Sequence, residues 1–179
     1  MPNLPLLDKT TAPGPAADLL AQAEKKLGRL PNSFRAMANS PALLQAYLGL
    51  SGALAGGTLP AGVRDQLALT VAQYNGCSYC LSAHSYLGEH VAKVSPDELE
   101  RARHATSADP HTAAVLGLAD AIVRTRGHVG AEVLDKARAD GVTDSEIAEI
   151  VGQVALNVLT NYFNVLSDVD IDWPVVVTV

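Results

Sequence analysis

The sequence has few aromatic residues, few charges and only two cysteines. Aromatic side chains account for 4% and charged side chains for 18% of its 179 residues. Because 48% of the residues are hydrophobic, a disordered chain is excluded. Ala and Leu are common while aromatic residues are scarce, a composition that favours closely packed helices. The length suffices for a buried core that needs no support from metals or disulfides.

An excess of basic residues and a long hydrophobic run are also missing. Thirteen Lys and Arg stand against nineteen Asp and Glu, which gives a net charge of −6. This balance argues against a nucleic acid or an anionic membrane as the main partner. No uninterrupted apolar stretch reaches the roughly 20 residues of a membrane span. Residues 1–8 lack the basic segment of a signal peptide, so we expect a cytoplasmic protein without a structural disulfide.

Prolines and helix-start signals divide the chain. Residues 1–15 contain four prolines and predict an extended arm on the surface or on a neighbouring subunit. Residues 16–179 predict a single all-helical domain. Its helices are expected at about 16–27, 31–39, 41–55, 60–74, 77–93, 96 onwards, 110–123, 130–139 and 144–166, with caps at Ser40, Ser95, Asp109 and Thr143.

The two cysteines and one histidine have helical spacing. Cys77 and Cys80 are three residues apart, and His84 follows Cys80 by four. Residues at these distances share one face of a helix. A helix that begins at Cys77 favours thiolate over thiol, because its N-terminus carries partial positive charge. A thiolate attacks peroxides and disulfides, and a nearby imidazole can move the proton.

Asp65 is the best candidate for a group that acts on the imidazole. It lies ten residues before the Asn75-Gly76 break, and His84 lies eight residues after Gly76. In an antiparallel helical hairpin the two side chains would lie at similar heights. A carboxylate there would fix the tautomer of the imidazole and raise its basicity. An ordinary first-turn acid that complements the helix dipole is nearly as good an interpretation of Asp65.

Two other interpretations of the cysteine pair stay open. A cytosolic Cys-x-x-Cys is often half of a zinc site, with His84 as a third ligand and His90 or Asp65 as a fourth. The chain has no second such pair, so we favour redox chemistry over zinc. Two inert buried cysteines are the other alternative, which the position at a helix start argues against.

Three further features have structural interpretations as the safer ones. The polar stripe of Asn157, Asn161 and Asn164 on a long apolar helix favours buried hydrogen bonds or an exposed face over the lining of a pocket. Core packing is likewise favoured over a substrate pocket for Tyr79, Tyr86 and Phe163. The apolar residues 174–179 predict a tail that docks on the body or on another subunit.

Several segments of the chain resemble one known family. Residues 60–84 contain Gln-x-Asn-Gly followed by Cys-x-x-Cys-x-x-x-His, and they resemble the core of the alkylhydroperoxidase D (AhpD)-like branch of the carboxymuconolactone decarboxylase superfamily. Residues 30–35, 157–164 and 170–174 resemble the peroxidase-related members of that branch. The resemblance implies an AhpD-like all-α helical bundle that is usually a homo-oligomer, often a trimer or hexamer.

The resemblance also assigns roles to individual residues. Cys80 corresponds to the cysteine that attacks the peroxide, Cys77 to the one that resolves the sulfenic acid, and His84 to the histidine of the proton relay. The upstream glutamate of the family is Asp65 here, one methylene shorter, which leaves room for a bridging water. Some members carry a histidine between the cysteines, where this chain has Tyr79.

The function implied by the resemblance is that of a thiol-dependent alkyl hydroperoxidase, an antioxidant oxidoreductase. Its substrate would be a peroxide, its reductant a partner protein or a small thiol, and it would need neither a metal nor another cofactor. The alternatives are a carboxymuconolactone decarboxylase-like enzyme, whose relatives generally lack the cysteine pair, and a non-catalytic helical oligomer that senses redox state or binds zinc.

Overall fold

The computed structural model describes residues 2–178, and these residues form nine helices without a β-strand. The helices are α1 Pro15–Leu27, α2 Asn32–Met37, α3 Pro41–Leu54, α4 Ala61–Asn75, α5 Ser78–His90, α6 Pro96–Arg103, α7 Pro110–Thr125, α8 Ala131–Ala139 and α9 Asp144–Ser167. The prediction of an all-α fold is confirmed. Within residues 2–178 we find no helix with the length and hydropathy to cross a membrane.

The helix starts follow the predicted caps. The side chains of Ser40, Ser95, Asp109 and Thr143 each accept a hydrogen bond from the backbone N–H three residues later. Thr143 also forms a capping box, because the Glu146 carboxylate accepts from the Thr143 backbone in return. α5 ends at His90, three residues earlier than its pattern predicts.

α4 occupies the centre of the molecule. All seven residues from Gln66 to Ala72 are buried, so this helix has no solvent-facing stripe along its middle. α5, α6, α7 and α9 surround it, and a helix covered on every side is a core helix. Any side chain that α4 and α5 present to each other therefore lies inside the protein rather than on its rim.

The N-terminal segment lies on the body of its own chain. Asn3 donates its backbone N–H to Ser167 O at 2.8 Å, and Leu7 donates to Arg35 O at 3.2 Å. Leu6 packs against the main core. Residues 3–7 are thus bonded to the surface of their own chain, and α1 begins at Pro15, the last residue that the prediction assigned to the arm.

The C-terminal segment runs along α5. The Val176 backbone N–H donates to Ser82 Oγ at 2.8 Å, and Thr178 N–H donates to Ser78 Oγ at 3.4 Å. Arg103 holds the same segment from α6 by donating to Val177 O at 3.0 Å. The predicted docking of the tail on the body is confirmed as far as residue 178, and residue 179 lies outside the described residues. The tail forms one wall over the helix that carries the cysteines.

Candidate active site

The turn between α4 and α5 places the first cysteine. Gly76 closes α4 in the left-handed conformation with φ of 70°, which glycine adopts without steric cost. Cys77 is the N-cap of α5 rather than its first residue, which corrects the predicted helix start. Its Sγ accepts a hydrogen bond from Cys80 N at 3.2 Å. The sulfur therefore lies among the unpaired N–H groups of a helix start, where negative charge is stabilised.

The two cysteines lie at disulfide distance. Their sulfurs are 2.15 Å apart and their Cα atoms 5.3 Å apart. Cys77 is 1% and Cys80 3% exposed, so the pair lies within the packed interior. The structure thus joins the two sulfurs in a disulfide, although no structural disulfide was expected. The separation of the Cα atoms suits a disulfide, so the pair can exchange between dithiol and disulfide without movement of the backbone.

Asp65 and His84 meet across the α4–α5 hairpin. Asp65 Oδ1 lies 2.8 Å from His84 Nδ1, and both side chains are mostly buried. The expected closeness of the two residues is confirmed, and the contact is direct, so no bridging water is needed. A carboxylate at Nδ1 favours the tautomer with its proton on that nitrogen. Nε2 is then left with its lone pair, as a general base requires.

The imidazole and the sulfurs are neighbours along α5 without a direct hydrogen bond. Within residues 2–178 neither sulfur is bonded to His84, although the spacing of four residues from Cys80 sets the ring one turn along the same face. A peroxide between sulfur and ring would have the nucleophile on one side and the base on the other.

The zinc interpretation finds no ligand set. Among the described residues no group of three or more His, Cys, Asp or Glu is placed to hold a metal. Of the two candidates for a fourth ligand, His90 stacks on Tyr86 with ring centroids 4.3 Å apart, and Asp65 contacts His84. Sulfurs joined to each other also lack the thiolate charge that zinc binds.

The asparagine stripe of α9 reaches the cysteines, which the sequence did not predict. Asn157, Asn161 and Asn164 are buried, and Asn157 Nδ2 donates to Gln153 O at 2.9 Å as expected of structural amides. Asn164 differs, because its Nδ2 donates to Cys80 Sγ at 3.4 Å. The preferred interpretation of buried hydrogen bonds is therefore confirmed for Asn157 and Asn164, and what the sequence did not predict is that one of the partners of Asn164 is the candidate nucleophile.

Tyr79 lies between the cysteines in sequence and turns its hydroxyl toward the C-terminal segment. The hydroxyl donates to Asp172 Oδ1 at 2.7 Å and accepts from Ser33 N at 3.1 Å. Burial above all, with the Asp172 carboxylate in addition, raises the pKa of Tyr79. The phenol stays protonated at neutral pH, so Tyr79 connects segments of the chain and does not exchange protons there.

Arg29 and Trp173 complete this connection. The Arg29 guanidinium donates to Asp172 Oδ2 at 2.8 Å and lies 4.0 Å from the centroid of the Trp173 ring. Trp173 is 9% exposed and packs against Tyr86, with ring centroids 5.5 Å apart. The sequence contains no signal for Arg29 or Ser33, because Arg29 is 143 residues from Asp172 and Ser33 is 131 residues from Asn164, whose side chain it also contacts.

We expect Asp172→Ala to destabilise the protein by about 1–3 kcal/mol, because it leaves the buried Tyr79 hydroxyl without its acceptor. The melting temperature should fall by several degrees. Tyr79→Phe is the matched control, since it removes the hydroxyl together with its need for a partner. Calorimetry of both variants and of the double variant measures the coupling. Equal melting temperatures for wild type and Asp172→Ala would contradict the role of this hydrogen bond.

A separate cavity lies away from the cysteines. It measures about 410 Å³ and is lined by residues of α4, α6 and α7, including Tyr74, Arg103 and Arg124. Asp120 pairs with Arg124 at 2.7 Å, and Arg103 is bonded to Glu100 and to the C-terminal segment. Asp120, Arg124 and Arg103 are thus already bonded to other groups of the protein. None of the four predicted site residues lines the cavity.

Part of the chain matches a known family. Residues 41–123 match the model of the carboxymuconolactone decarboxylase family. This stretch runs from the start of α3 into α7 and includes the whole α4–α5 hairpin. No curated protein sequence matches the chain with significant similarity.

Solved structures share the fold at low sequence identity. A protein from Ralstonia eutropha JMP134, described as an alkylhydroperoxidase AhpD core and peroxidase-related, superposes with a TM-score of 0.85 at 21% identity, over 96% of this chain and 92% of that one. A peroxidase-related protein from Silicibacter sp. TM1040 gives 0.79 at 22% identity, over 94% and 89%. The debrominase Bmp8, as a cysteine-to-alanine variant with 2,3,4-tribromopyrrole, gives 0.77 at 22% identity, over 95% and 91%.

Proposed function

We propose that this chain, which shares its helical fold with AhpD-like proteins and matches the carboxymuconolactone decarboxylase family over residues 41–123, is a thiol-dependent peroxidase-like oxidoreductase. The observation that carries the proposal is the cysteine pair at disulfide distance at the start of α5, one turn from the Asp65–His84 pair. The superfamily is enzymatic, and this arrangement supplies a nucleophile, a resolving thiol and a base.

In the proposed first step, the Cys80 thiolate attacks the distal oxygen of a hydroperoxide. The S–O bond forms as the O–O bond breaks, and the alkoxide leaves as an alcohol with a proton delivered through His84. Asp65 stabilises the imidazolium whenever the ring holds that proton. Cys80 is then a sulfenic acid, and the peroxide has taken up two electrons.

In the second step, the sulfenic acid is resolved by the neighbouring thiol. The Cys77 sulfur attacks the Cys80 sulfur, the S–S bond forms and hydroxide leaves as water with the proton of the Cys77 thiol. The balance is one peroxide and two thiols giving alcohol, water and a disulfide. An external dithiol, either a protein or a small molecule, must restore both thiols, and no metal or other cofactor takes part.

Thiol titration with intact mass, on protein first analysed for metals, tests this function. One equivalent of peroxide should remove both thiols and two hydrogens, and a dithiol should reverse the change. Cycling at substoichiometric protein establishes turnover. Oxidation without turnover would favour a redox sensor, and unchanged thiols with bound zinc would favour a structural metal site. The disulfide distance and the lack of a described ligand cluster speak against zinc.

We also propose that the chain forms a homo-oligomer, as the resemblance implies, and that α3 forms the contact between copies. This helix has no charged residue. Of its fourteen residues only Leu44 is buried, and Ala46, Gly49 and Leu50 are among those exposed to solvent. Such a face meets a copy of itself at no electrostatic cost, and small residues permit close approach.

We expect Leu50→Glu to reduce the oligomer mass measured by sedimentation, because the charge would be buried against its counterpart. Leu50 is 39% exposed within one chain, so the melting temperature of a dissociated subunit should not suffer from lost core packing. Val91→Glu, at a position that is 69% exposed on another surface, is the control and should leave the mass unchanged. A mass equal to that of wild type in Leu50→Glu would exclude α3 as the interface.

A further inference from the structure

We infer that Asn164 of α9 binds the Cys80 thiolate and, with Ser33, sets its reactivity. This inference rests on the proposed function, because it concerns the sulfur that attacks the peroxide. It assigns work to a residue outside the Cys-x-x-Cys-x-x-x-His segment, on a helix that the family match does not reach.

Apart from its bond to Cys77, the sulfur of Cys80 has one side-chain hydrogen-bond donor among the described residues. Cys80 is 3% exposed, and a buried thiolate that loses its hydration needs donors in place of water. Within residues 2–178 the Asn164 amide is the side chain that donates to Cys80 Sγ, at 3.4 Å. His84 is engaged with Asp65 instead. Asn164 is thus the polar group that meets the sulfur on the side of α9.

The orientation of the Asn164 amide is fixed by a hydrogen bond on its other side. Ser33 Oγ donates to Asn164 Oδ1 at 2.6 Å, which directs the NH₂ group of the amide toward the sulfur. Ser33 is itself held, because its backbone N–H donates to the Tyr79 hydroxyl. A donor that is already oriented stabilises developing charge without reorganisation.

The asparagine stripe also contains a buried amide donor that has no hydrogen-bond partner among the described residues. Asn161, one turn from Asn164, accepts from Asn75 Nδ2 at 2.9 Å. Its own Nδ2 is buried and has no partner among the described residues. Buried donors are normally paired in structural networks, so amides that only fix the register of α9 do not account for this arrangement.

The charged surroundings of Cys80 are limited. The titratable groups that the described contacts bring into this part of the site are Cys77 at the N-cap of α5, Tyr79 and His84 on α5, Asp65 on α4 and Asp172 in the C-terminal segment. The stripe that α9 turns toward α5 carries amides and no carboxylate at Asn157, Asn161 and Asn164. An acid at 164 would oppose the thiolate, whereas an amide donates to it.

The test is the pH titration of thiolate absorbance in the Cys77→Ser background, where Cys80 is the single thiol. Asn164→Leu should raise the midpoint by about one pH unit, because a hydrogen bond to a charged group is lost. Ser33→Ala should raise it less, since the amide remains but is free to turn. Asn157→Leu is the matched control, a buried amide of the same stripe whose Nδ2 is bonded to Gln153 O, and it should leave the midpoint in place.

The kinetic readout follows from the same shift. With both cysteines present, Asn164→Leu should slow the reaction of reduced protein with peroxide about threefold at neutral pH, because lower thiolate content outweighs the higher nucleophilicity of a more basic sulfur. Rates should recover at alkaline pH, which a merely structural defect would not show.

The outcomes separate this inference from the proposed function. Midpoints equal to the control in both Asn164→Leu and Ser33→Ala would overturn the role of Asn164, even if peroxide is turned over. If Asn164→Leu does not fold, Ser33→Ala alone decides. Shifted midpoints in a protein that never turns over peroxide would uphold thiolate binding by Asn164 and refute the peroxidase.

Discussion

Replacement of Cys80 by serine is expected to abolish peroxide turnover. The hydroxyl of serine remains protonated at neutral pH and is a far weaker nucleophile toward oxygen than a thiolate. We expect the rate of peroxide consumption, measured with excess dithiol, to fall by about three orders of magnitude, which brings it close to the uncatalysed rate. The fold should persist, because the substitution changes one small buried atom and the serine hydroxyl can still accept the hydrogen bond from Asn164 Nδ2.

Cys77→Ser is the informative companion of this variant. Serine is a good N-cap, so α5 should begin at the same residue. Without the resolving thiol, Cys80 should react once and stop as a sulfenic acid, visible as the gain of one oxygen in the intact mass. Turnover retained in Cys80→Ser, or a sulfenic acid found on Cys77, would show that the two roles are exchanged or wrong.

Replacement of His84 by glutamine has the second largest expected effect. Glutamine can donate and accept hydrogen bonds but cannot carry a proton from the sulfur to the leaving oxygen. A loss of about a hundredfold or more in kcat/KM for peroxide is expected, in the usual range for a general acid–base group. His90→Gln is the matched control, because that exposed ring stacks on Tyr86 outside the Asp65 contact, and its rate should equal that of wild type.

Asp65 allows the same relay to be tested from its other end. In Asp65→Asn the amide can donate to Nδ1 and so select the tautomer that has its proton on Nε2, the nitrogen needed as base. The rate should fall toward that of His84→Gln. Asp65→Glu keeps the charge and should retain most activity if the longer side chain still reaches the ring. Asp65 is the fifth residue of α4, so the alternative of a first-turn acid is wrong. An unaffected Asp65→Asn would show that its contact with His84 is structural and takes no part in the relay.

Local chemistry explains why much of the fold could be predicted. Ser40, Ser95, Asp109 and Thr143 mark helix starts because a side-chain oxygen satisfies backbone N–H groups within three residues, and the structure places every one of these caps as expected. The closeness of Asp65 and His84 could also be predicted, since the length of a hairpin determines which residues face each other.

The parts of the site that escaped prediction come from distant segments. Ser33 reaches Asn164 across 131 residues, and Tyr79 reaches Asp172 across 93. Helical periodicity identifies which residues share a face but not which other helix covers that face. The asparagine stripe was therefore visible in the sequence, whereas its contact with Cys80 required the packing of α9 against α5. The direct Asp65–His84 contact depends in the same way on the distance between two helix axes.

The sequence separations at the cysteine pair have a consequence for synthesis. The ribosome completes the α4–α5 hairpin before it translates α9 and the C-terminal segment. Until α9 and the C-terminal segment arrive, the thiols lack the amide at position 164 and the wall formed by residues 172–178. A nascent chain therefore carries its cysteines uncovered, and a release of unfinished chains would yield thiols open to nonspecific oxidation. Maturation of the centre therefore waits for α9 and the C-terminal segment, because contacts of such long range form only after both segments are available.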